Sequence, residues 1–236
     1  MKPKTINWQE QAKKSAAIEA VKQVKNGFVV GLGSGSTVAY AIQELGRRIK
    51  QEKLELLAVP SSYQAFYLAN QNRVPITTLD EYPTLDLTID GADQVEKKTL
   101  NMIKGMGGAL TREKIVAEAS KKLVIIVDET KLTEKLGLNQ PVPVEVIPFA
   151  LALARMRLQK LHGAPEMREG KGKVGPVVTD NGNFILDVHF GKIEDAEKLN
   201  MQIKLIPGVV ENGLFLNMAD IVYVGTRGVV QRLVRQ

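Results

Sequence analysis

The sequence predicts an α/β fold in which a parallel sheet is covered by helices on both faces and joined to a smaller α+β domain. Short apolar strands alternate with helical segments over the first 139 residues, as is typical of a parallel sheet. Beyond that point, the predicted order is strand, helix, strand, strand, helix, strand, which is the order of a ferredoxin-like domain.

The elements of the larger, Rossmann-like domain follow from local signals. The first helix is predicted over residues 7–26, because Asn7 can cap it, Glu10 completes a capping box and Gly27 can end it. Apolar runs bounded by turn residues then predict the remaining elements: strands at 28–30, 56–59, 85–89 and 123–127, and helices at 37–50, 61–70 and 110–120. A last strand at 221–225 is expected to rejoin this sheet, so the domain takes residues 1–139 and 217–236.

The smaller domain is predicted over residues 140–216, with Pro141 and Pro143 marking its start. A hairpin is expected across Asn181-Gly182, a pair that favours a tight turn. The predicted elements are strands at 144–147, 174–179, 184–190 and 209–216, and helices at 149–161 and 195–206.

Composition excludes several classes of function. The chain has no cysteine, which rules out disulfides, thiolate nucleophiles and cysteine zinc sites. The net charge of +6 is spread along the chain without a long basic run, so it favours anionic metabolites over a nucleic-acid partner. No apolar run is long enough to span a bilayer, and residues 1–11 lack the character of a signal or transit peptide. We therefore expect no membrane partner and a cytoplasmic location.

The first candidate site is a Gly-rich loop between a strand and a helix, with the sequence G-L-G-S-G-S-T from Gly31 to Thr37. Glycines let backbone N–H groups approach an anion, and the helix N-terminus adds a positive field. The third glycine comes too early for a dinucleotide motif, and no lysine follows as in a P-loop. A simple Gly/Ser turn with a helix cap remains the structural alternative to a phosphate pocket.

Two further segments carry charged groups after predicted strands. Asp90 and Asp93 flank Gly91-Ala92; they could bind sugar hydroxyls and move protons, share a metal ion, or only form an Asx turn. Few other acidic residues lie nearby, which disfavours a metal. Beyond them, Lys104 begins a Gly-rich turn and Glu113 lies one turn into the next helix, where the helix dipole favours a carboxylate.

The two histidines limit the mechanism. His162 and His189 both fall in the smaller domain, so no Ser-His-Asp or Cys-His arrangement can be built around the three segments. The chemistry must then use carboxylates, lysines and backbone amides. A carboxylate base beside a cation suits proton abstraction next to a carbonyl, as in enediolate isomerisation.

Taken together, the motifs resemble the ribose-5-phosphate isomerase A family. The matching segments are G-L-G-S-G-S-T at 31–37, D-G-A-D at 90–93, K-G-M-G-G-A-L-T-R-E-K at 104–114, Lys131 after V-D-E-T, P-V-E-V-I-P at 143–148 and V-V-T-D-N-G-N at 177–183. They follow the family's order over most of the chain. Three departures are Met106, where the family commonly has glycine, Gly108, where alanine is common, and Ser34, where threonine is common.

The resemblance implies interconversion of ribose 5-phosphate and ribulose 5-phosphate without a metal or cofactor, in a homodimer or homotetramer. Glu113 would be the general base, Asp90 would help open the ring with support from Asp93, and Lys104 would stabilise the oxyanion. The implied substrate-binding residues are Ser34, Gly35, Ser36, Thr37, Asp90, Gly91, Ala92, Asp93, Lys104, Gly105, Met106, Gly107 and Lys131, with Lys13 as a further candidate for the phosphate.

Three other functions are alternatives to this one. An amino-sugar-phosphate deaminase would need a histidine at the site, and a CoA transferase would need an acyl-accepting glutamate elsewhere. A sugar-phosphate sensor that controls transcription would normally carry a helix-turn-helix, and the sequence shows none.

Overall fold

The structure is a computed structural model that describes residues 7–170, 172 and 174–235. Residues 1–6 lie outside this described part. They belong to the segment 1–11, from which we predicted that the chain has no signal or transit peptide. In chain order the helices are α1 Trp8–Val21, α2 Ser36–Glu52, α3 Tyr63–Gln71, α4 Leu110–Glu118, α5 Leu151–Lys160 and α6 Ala196–Lys204. The strands are β1 Phe28–Leu32, β2 Leu56–Pro60, β3 Leu87–Gly91, β4 Gln94–Glu96, β5 Met102–Ile103, β6 Leu123–Asp128, β7 Leu132–Thr133, β8 Val142–Val146, β9 Ala164–Met167, β10 Phe184–His189, β11 Val209–Asn212, β12 Leu214–Phe215, β13 Ile221–Gly225 and β14 Val230–Val234.

The chain forms two compact units. The first comprises the described residues of Met1–Gly91, Ile115–Leu132 and Met218–Gln236, and the second comprises Ala92–Lys114 and Thr133–Asn217. Residues 92–114 are thus grouped with the second unit, whereas the sequence prediction places them in the larger domain. The domain boundaries at 139/140 and 216/217 stay a prediction.

A six-stranded sheet organises the first unit, in the order β14-β13-β6-β3-β1-β2. Strands β2, β1, β3, β6 and β13 are parallel, and β14 pairs antiparallel with β13 at the edge. Every residue of β6 is buried, as expected for a central strand covered on both faces. The carboxyl ends of the parallel strands therefore meet at one edge, where ligands bind in such sheets.

Local signals predicted this unit well, with two differences. Asn7 caps α1 as predicted, since its side chain accepts from the N–H of Gln9 at 3.3 Å, but the helix ends at Val21 instead of residue 26. Strand β14 was not predicted, because only Val230 and Leu233 of its five residues are even partly buried and the apolar signal is weak.

The second unit contains a four-stranded antiparallel sheet in the order β11-β8-β10-β9. Its elements follow the predicted order, and this strand arrangement is that of a ferredoxin-like fold. One prediction was wrong: residues 174–179 form no strand and make isolated bridges instead, from Pro176 to Glu169 and from Val178 to Phe184. Strand β9 pairs with β10 instead. The predicted turn itself is present, with the N–H of Thr179 donating to the carbonyl of Asn183 at 2.9 Å.

A second small sheet in this unit has the order β12-β5-β4-β7. Its central pair, β4 and β5, is antiparallel and forms a hairpin between Asp93 and Lys104. Asp93 precedes β4 and Lys104 follows β5, and the N–H of Asp93 donates to the carbonyl of Ile103 at 2.9 Å. The hairpin therefore brings these two residues together at its base.

Candidate active site

The residues predicted to function fall into two groups, one in each unit. The first group surrounds the start of α2. Gly35 is the N-cap residue with φ +97, a conformation that glycine adopts readily. Its N–H donates to Oε1 of Gln64 at 2.8 Å. Since glycine has no capping side chain, the first amides of this 17-residue helix face outward at its positive end, which suits an anion.

Asp90 joins the first two predicted segments within the first unit. It lies at the end of β3, beside β1, and is fully buried. Its Oδ1 accepts from the N–H of Gly91 at 2.7 Å and from the N–H of Ser34 at 3.3 Å. A Cβ at Gly33 would lie 1.9 Å from this oxygen, so glycine is required for the carboxylate to approach the loop.

Three serine hydroxyls cluster beside this loop, and two of them were not predicted. Oγ of Ser34 donates to Oγ of Ser62 at 2.6 Å and lies 3.1 Å from Oγ of Ser61. Ser61 and Ser62 are buried and follow β2, the strand next to β1. Their position directly after a predicted strand was the available signal, because it places them at the same sheet edge as Ser34.

Lys131, whose binding role stays a prediction, lies after the neighbouring strand β6. It ends the short 3₁₀ helix Glu129–Lys131, which directly follows β6, the strand next to β3. Lys13, the further phosphate candidate, has its ammonium 3.0 Å from Oε1 of Glu10. The hydroxyl of Tyr40, and then the Lys13 ammonium, hold the pKa of Glu10 below its ordinary value. The phosphate role of Lys13 stays a prediction.

The second group is built around a buried ion pair. Nζ of Lys104 lies 3.1 Å from Oε2 of Glu113, and the two side chains are only 3% and 6% exposed. Glu113 lies in the first turn of α4, where the positive end of the helix favours the carboxylate. A hydrogen bond fixes the backbone of Lys104, because its N–H donates to the carbonyl of Gly213 at 2.9 Å. A cation therefore lies directly beside a candidate base.

Asp93 contacts the glycine turn that follows Lys104. Its Oδ2 accepts from the N–H of Met106 at 2.9 Å. Gly105 has φ +105, and a Cβ there would lie 2.8 Å from Cβ of Leu110, so glycine is needed at this position. Met106 is not among the residues with positive φ and is 42% exposed. Methionine thus fits at 106, a position where the resemblance led us to expect glycine.

Lys114, which was not predicted to function, packs beside the ion pair. Its ammonium lies 3.0 Å from Oε1 of Glu211 and donates to the carbonyl of Asn212 at 2.7 Å. The ring of Phe215 faces two cations, with Nζ of Lys114 at 4.8 Å and Nζ of Lys104 at 5.2 Å from its centroid. Burial lowers the pKa of Lys114. An aromatic face in contact with two ammonium groups helps to stabilise them away from water.

Within the described part of the chain, no three His, Cys, Asp or Glu side chains are grouped as potential metal ligands. No helix among those same residues has the length and apolar character that crossing a membrane requires.

Comparisons with known proteins show which family the chain is similar to. The model of the family Ribose 5-phosphate isomerase A (phosphoriboisomerase A) matches residues 57–228. The ribose-5-phosphate isomerase A of Archaeoglobus fulgidus is 56% identical over 205 residues, 86% of this chain and 89% of that protein. The solved isomerase A of Methanocaldococcus jannaschii is 49% identical with a TM-score of 0.93, covering 96% of this chain and 100% of its own.

A second solved D-ribose-5-phosphate isomerase, in complex with phospho-erythronic acid, is 45% identical with a TM-score of 0.93, over 96% of this chain and 99% of that one. These structural matches confirm the predicted fold class. Both the family model and the relatives extend over most of the sequence, so the chain belongs to the ribose 5-phosphate isomerase A family.

Proposed function

We propose that this chain interconverts ribose 5-phosphate and ribulose 5-phosphate through an enediolate, with Glu113 as the general base. Family membership supports the reaction. The 3.1 Å pair of Lys104 and Glu113 supports the mechanism and carries the proposal. The isomerisation moves a proton between C2 and C1 while charge develops on the neighbouring oxygen. A carboxylate can carry that proton, and an ammonium beside it can stabilise the oxyanion.

Asp90 is proposed to help open the sugar ring and to move protons among the hydroxyls. Its burial at the end of β3 and its acceptance of two backbone N–H groups support a well-ordered carboxylate. Asp93 is proposed to support it, and its contact with the N–H of Met106 gives Asp93 a second task in ordering the glycine turn.

Substrate binding is assigned to loop groups at strand ends. The proposed binding residues are Ser34, Gly35, Ser36, Thr37, Gly91, Ala92, Gly105, Met106, Gly107 and Lys131, in addition to Asp90, Asp93 and Lys104. The helix N-terminus behind Gly35 suits the phosphate. The phospho-erythronic acid bound by the solved relative carries a phosphate and a carboxylate, and a carboxylate resembles an enediolate in shape and charge. This ligand supports a site that binds both anionic ends of the intermediate.

The test is ketose formation from ribose 5-phosphate, run alongside other aldose phosphates. Glu113→Gln should lower turnover by about 10²–10⁴, the usual contribution of a general base. Glu118→Gln, an exposed change on the same helix, is the matched control and should leave turnover unchanged. Near-normal turnover of Glu113→Gln would remove the proposed base. A covalent CoA adduct would instead favour a transferase.

Three properties of the protein remain predictions from the sequence and the family resemblance. We propose that no metal is needed, that the chain forms a homodimer or homotetramer, and that it works in the cytoplasm. Chelator treatment tests the first, light scattering the second and cell fractionation the third. Activity that is lost with a chelator and restored by magnesium would contradict the metal-free mechanism.

A further inference from the structure

Glu145 is a buried carboxylate that lies outside the groups assigned above. It sits in β8 and has no exposed surface. Its Oε2 accepts from the hydroxyl of Thr111 at 2.5 Å. Thr111 is in the first turn of α4, two residues before Glu113. The buried carboxylate is therefore attached to the helix turn that carries the proposed base.

The other oxygen of Glu145 accepts from three side chains near the turn at 180–183. Oε1 receives the hydroxyl of Thr179 at 2.9 Å, Nδ2 of Asn181 at 3.0 Å and Nδ2 of Asn183 at 2.8 Å. These donors, like Thr111, are neutral. Burying a carboxylate is costly unless hydrogen bonds replace its water, and hydrogen bonds to a charged acceptor are stronger than those to a neutral one. The four donors are thus held in a defined arrangement around Glu145.

The same turn contacts α4 a second time. Nε of Arg112 donates to Oδ1 of Asn181 at 2.7 Å, and Nη2 donates to the carbonyl of Asp180 at 2.7 Å. Thr111 and Arg112, the two residues immediately before Glu113, are both tied to the structure around Glu145. A nine-residue helix contributes little stability of its own, so these attachments determine where its first turn lies.

We propose that Glu145 is a positioning residue for the isomerase reaction. Through Thr111 it holds the first turn of α4 so that the carboxylate of Glu113 stays beside Lys104. The inference rests on the proposed role of Glu113 as the base, and Glu145 itself transfers no proton. Proton transfer requires close approach of the base to the substrate carbon, so a shift of α4 should lower turnover more than substrate binding.

The experiment compares Thr111→Val with Thr111→Ser in the full-length protein. Valine has nearly the same shape as threonine but cannot donate to Glu145, so kcat should fall about 10- to 100-fold, whereas KM should change less than about twofold. Serine keeps the hydroxyl and should restore most of kcat. Thr99→Val is the matched control, because the hydroxyl of Thr99 donates to the buried Glu96 of β4, a different element of the same unit; its kcat should equal that of the wild type.

Glu145→Gln provides a second measurement. An amide cannot accept from all four donors, so this variant should lower kcat in the same way, and combining it with Thr111→Val should add little. If Glu145→Gln does not fold, as judged by circular dichroism, the pair of Thr111 variants decides the question. One outcome would overturn the positioning role and leave the proposed function intact. In it, Glu113→Gln loses its activity, but the kcat of Thr111→Val is no lower than that of Thr99→Val. A Glu113→Gln protein that stays active would overturn both.

Discussion

Arg168 donates from Nη1 to the carbonyl oxygen of Gly105 at 2.7 Å, which ties the turn after Lys104 to the end of β9. The same nitrogen donates to the carbonyl of Met106 at 3.1 Å. The guanidinium is oriented by Asp187, which accepts from Nε at 2.8 Å and also from Nη2. With Asp93 accepting from the N–H of Met106, the peptide groups of this turn are held from both sides.

Arg168→Lys should therefore disturb the turn while keeping the positive charge. Lysine lacks the planar fork that reaches Asp187 and two carbonyls together, so we expect kcat for ribose 5-phosphate to fall about tenfold. Arg47→Lys, at an exposed arginine paired with Glu44, is the control and should behave as the wild type. Unchanged kinetics of Arg168→Lys would show that the turn keeps its geometry without the guanidinium.

Replacing Lys104 by methionine tests the oxyanion role. The change removes the ammonium beside Glu113, and loss of one such group typically lowers turnover about 10²–10³-fold. Steady-state assays at saturating ribose 5-phosphate measure it, with the exposed Lys98→Met as control. A fall in kcat/KM caused by KM alone would instead assign Lys104 to ground-state binding.

Gly33→Ala tests the close approach of Asp90 to the loop. The added methyl would lie 1.9 Å from Oδ1 of Asp90, so either the carboxylate or the loop must move. Overpacking of this kind costs about 1–3 kcal/mol, and the thermal midpoint and turnover should both decrease. A variant with the stability and turnover of the wild type would mean that the contact relaxes without consequence.

The pair of Lys114 and Glu211 should make stability depend on pH. Burial alone would raise the pKa of Glu211. The charge of Lys114 and the hydrogen bond from the N–H of Asn212 lower it by more, so the pKa of Glu211 lies below its ordinary value. A carboxylate whose pKa is lower in the folded state contributes stability above its unfolded pKa and loses it as the pH falls through the folded pKa. Glu211→Gln should then lower the free energy of unfolding at neutral pH by about 1–3 kcal/mol.

Thermal unfolding of the wild type and Glu211→Gln from about pH 7 to pH 3 checks this expectation. The difference between them should shrink on acidification, because the wild-type carboxylate becomes protonated. A difference that stays constant over this range would show that packing, and not charge, stabilises the pair. Glu134→Gln removes an exposed ion pair with Lys97 and should have little effect at any pH.

The strands and helices could be predicted where their signals are local. Apolar runs located β1, β3 and β6, and a cap located the start of α1, since Asn7 accepts a hydrogen bond from the N–H two residues ahead. The strand predicted at 174–179 is absent. Asn181-Gly182 indicates a turn, but it does not determine whether the residues on both sides of the turn pair as strands. Strand β9 takes that place beside β10.

The contacts that position the proposed active groups were beyond prediction for a different reason. Arg168 and Gly105 are 63 residues apart, and Thr111 and Glu145 are 34 apart, so no short-range pattern connects them. Ser61 and Ser62 were not predicted, because a serine after a strand is common in sequences. Only their hydroxyl contacts with Ser34 in the structure indicate that they belong to the candidate site.

Periodicity, capping and turn chemistry act over a few residues, so the sequence predicted the order of the elements and located Gly31–Thr37, Asp90 and Lys131 at or shortly after the ends of strands. Which of these groups come into contact depends on the tertiary fold. The order of the strands places the carboxylate of Asp90 next to Gly33. Packing around β8 brings Glu145 within hydrogen-bond distance of Thr111, in the helix turn that contains Glu113. These contacts depend on sheet pairing and side-chain packing between residues far apart in the chain, and that is information which local patterns do not contain.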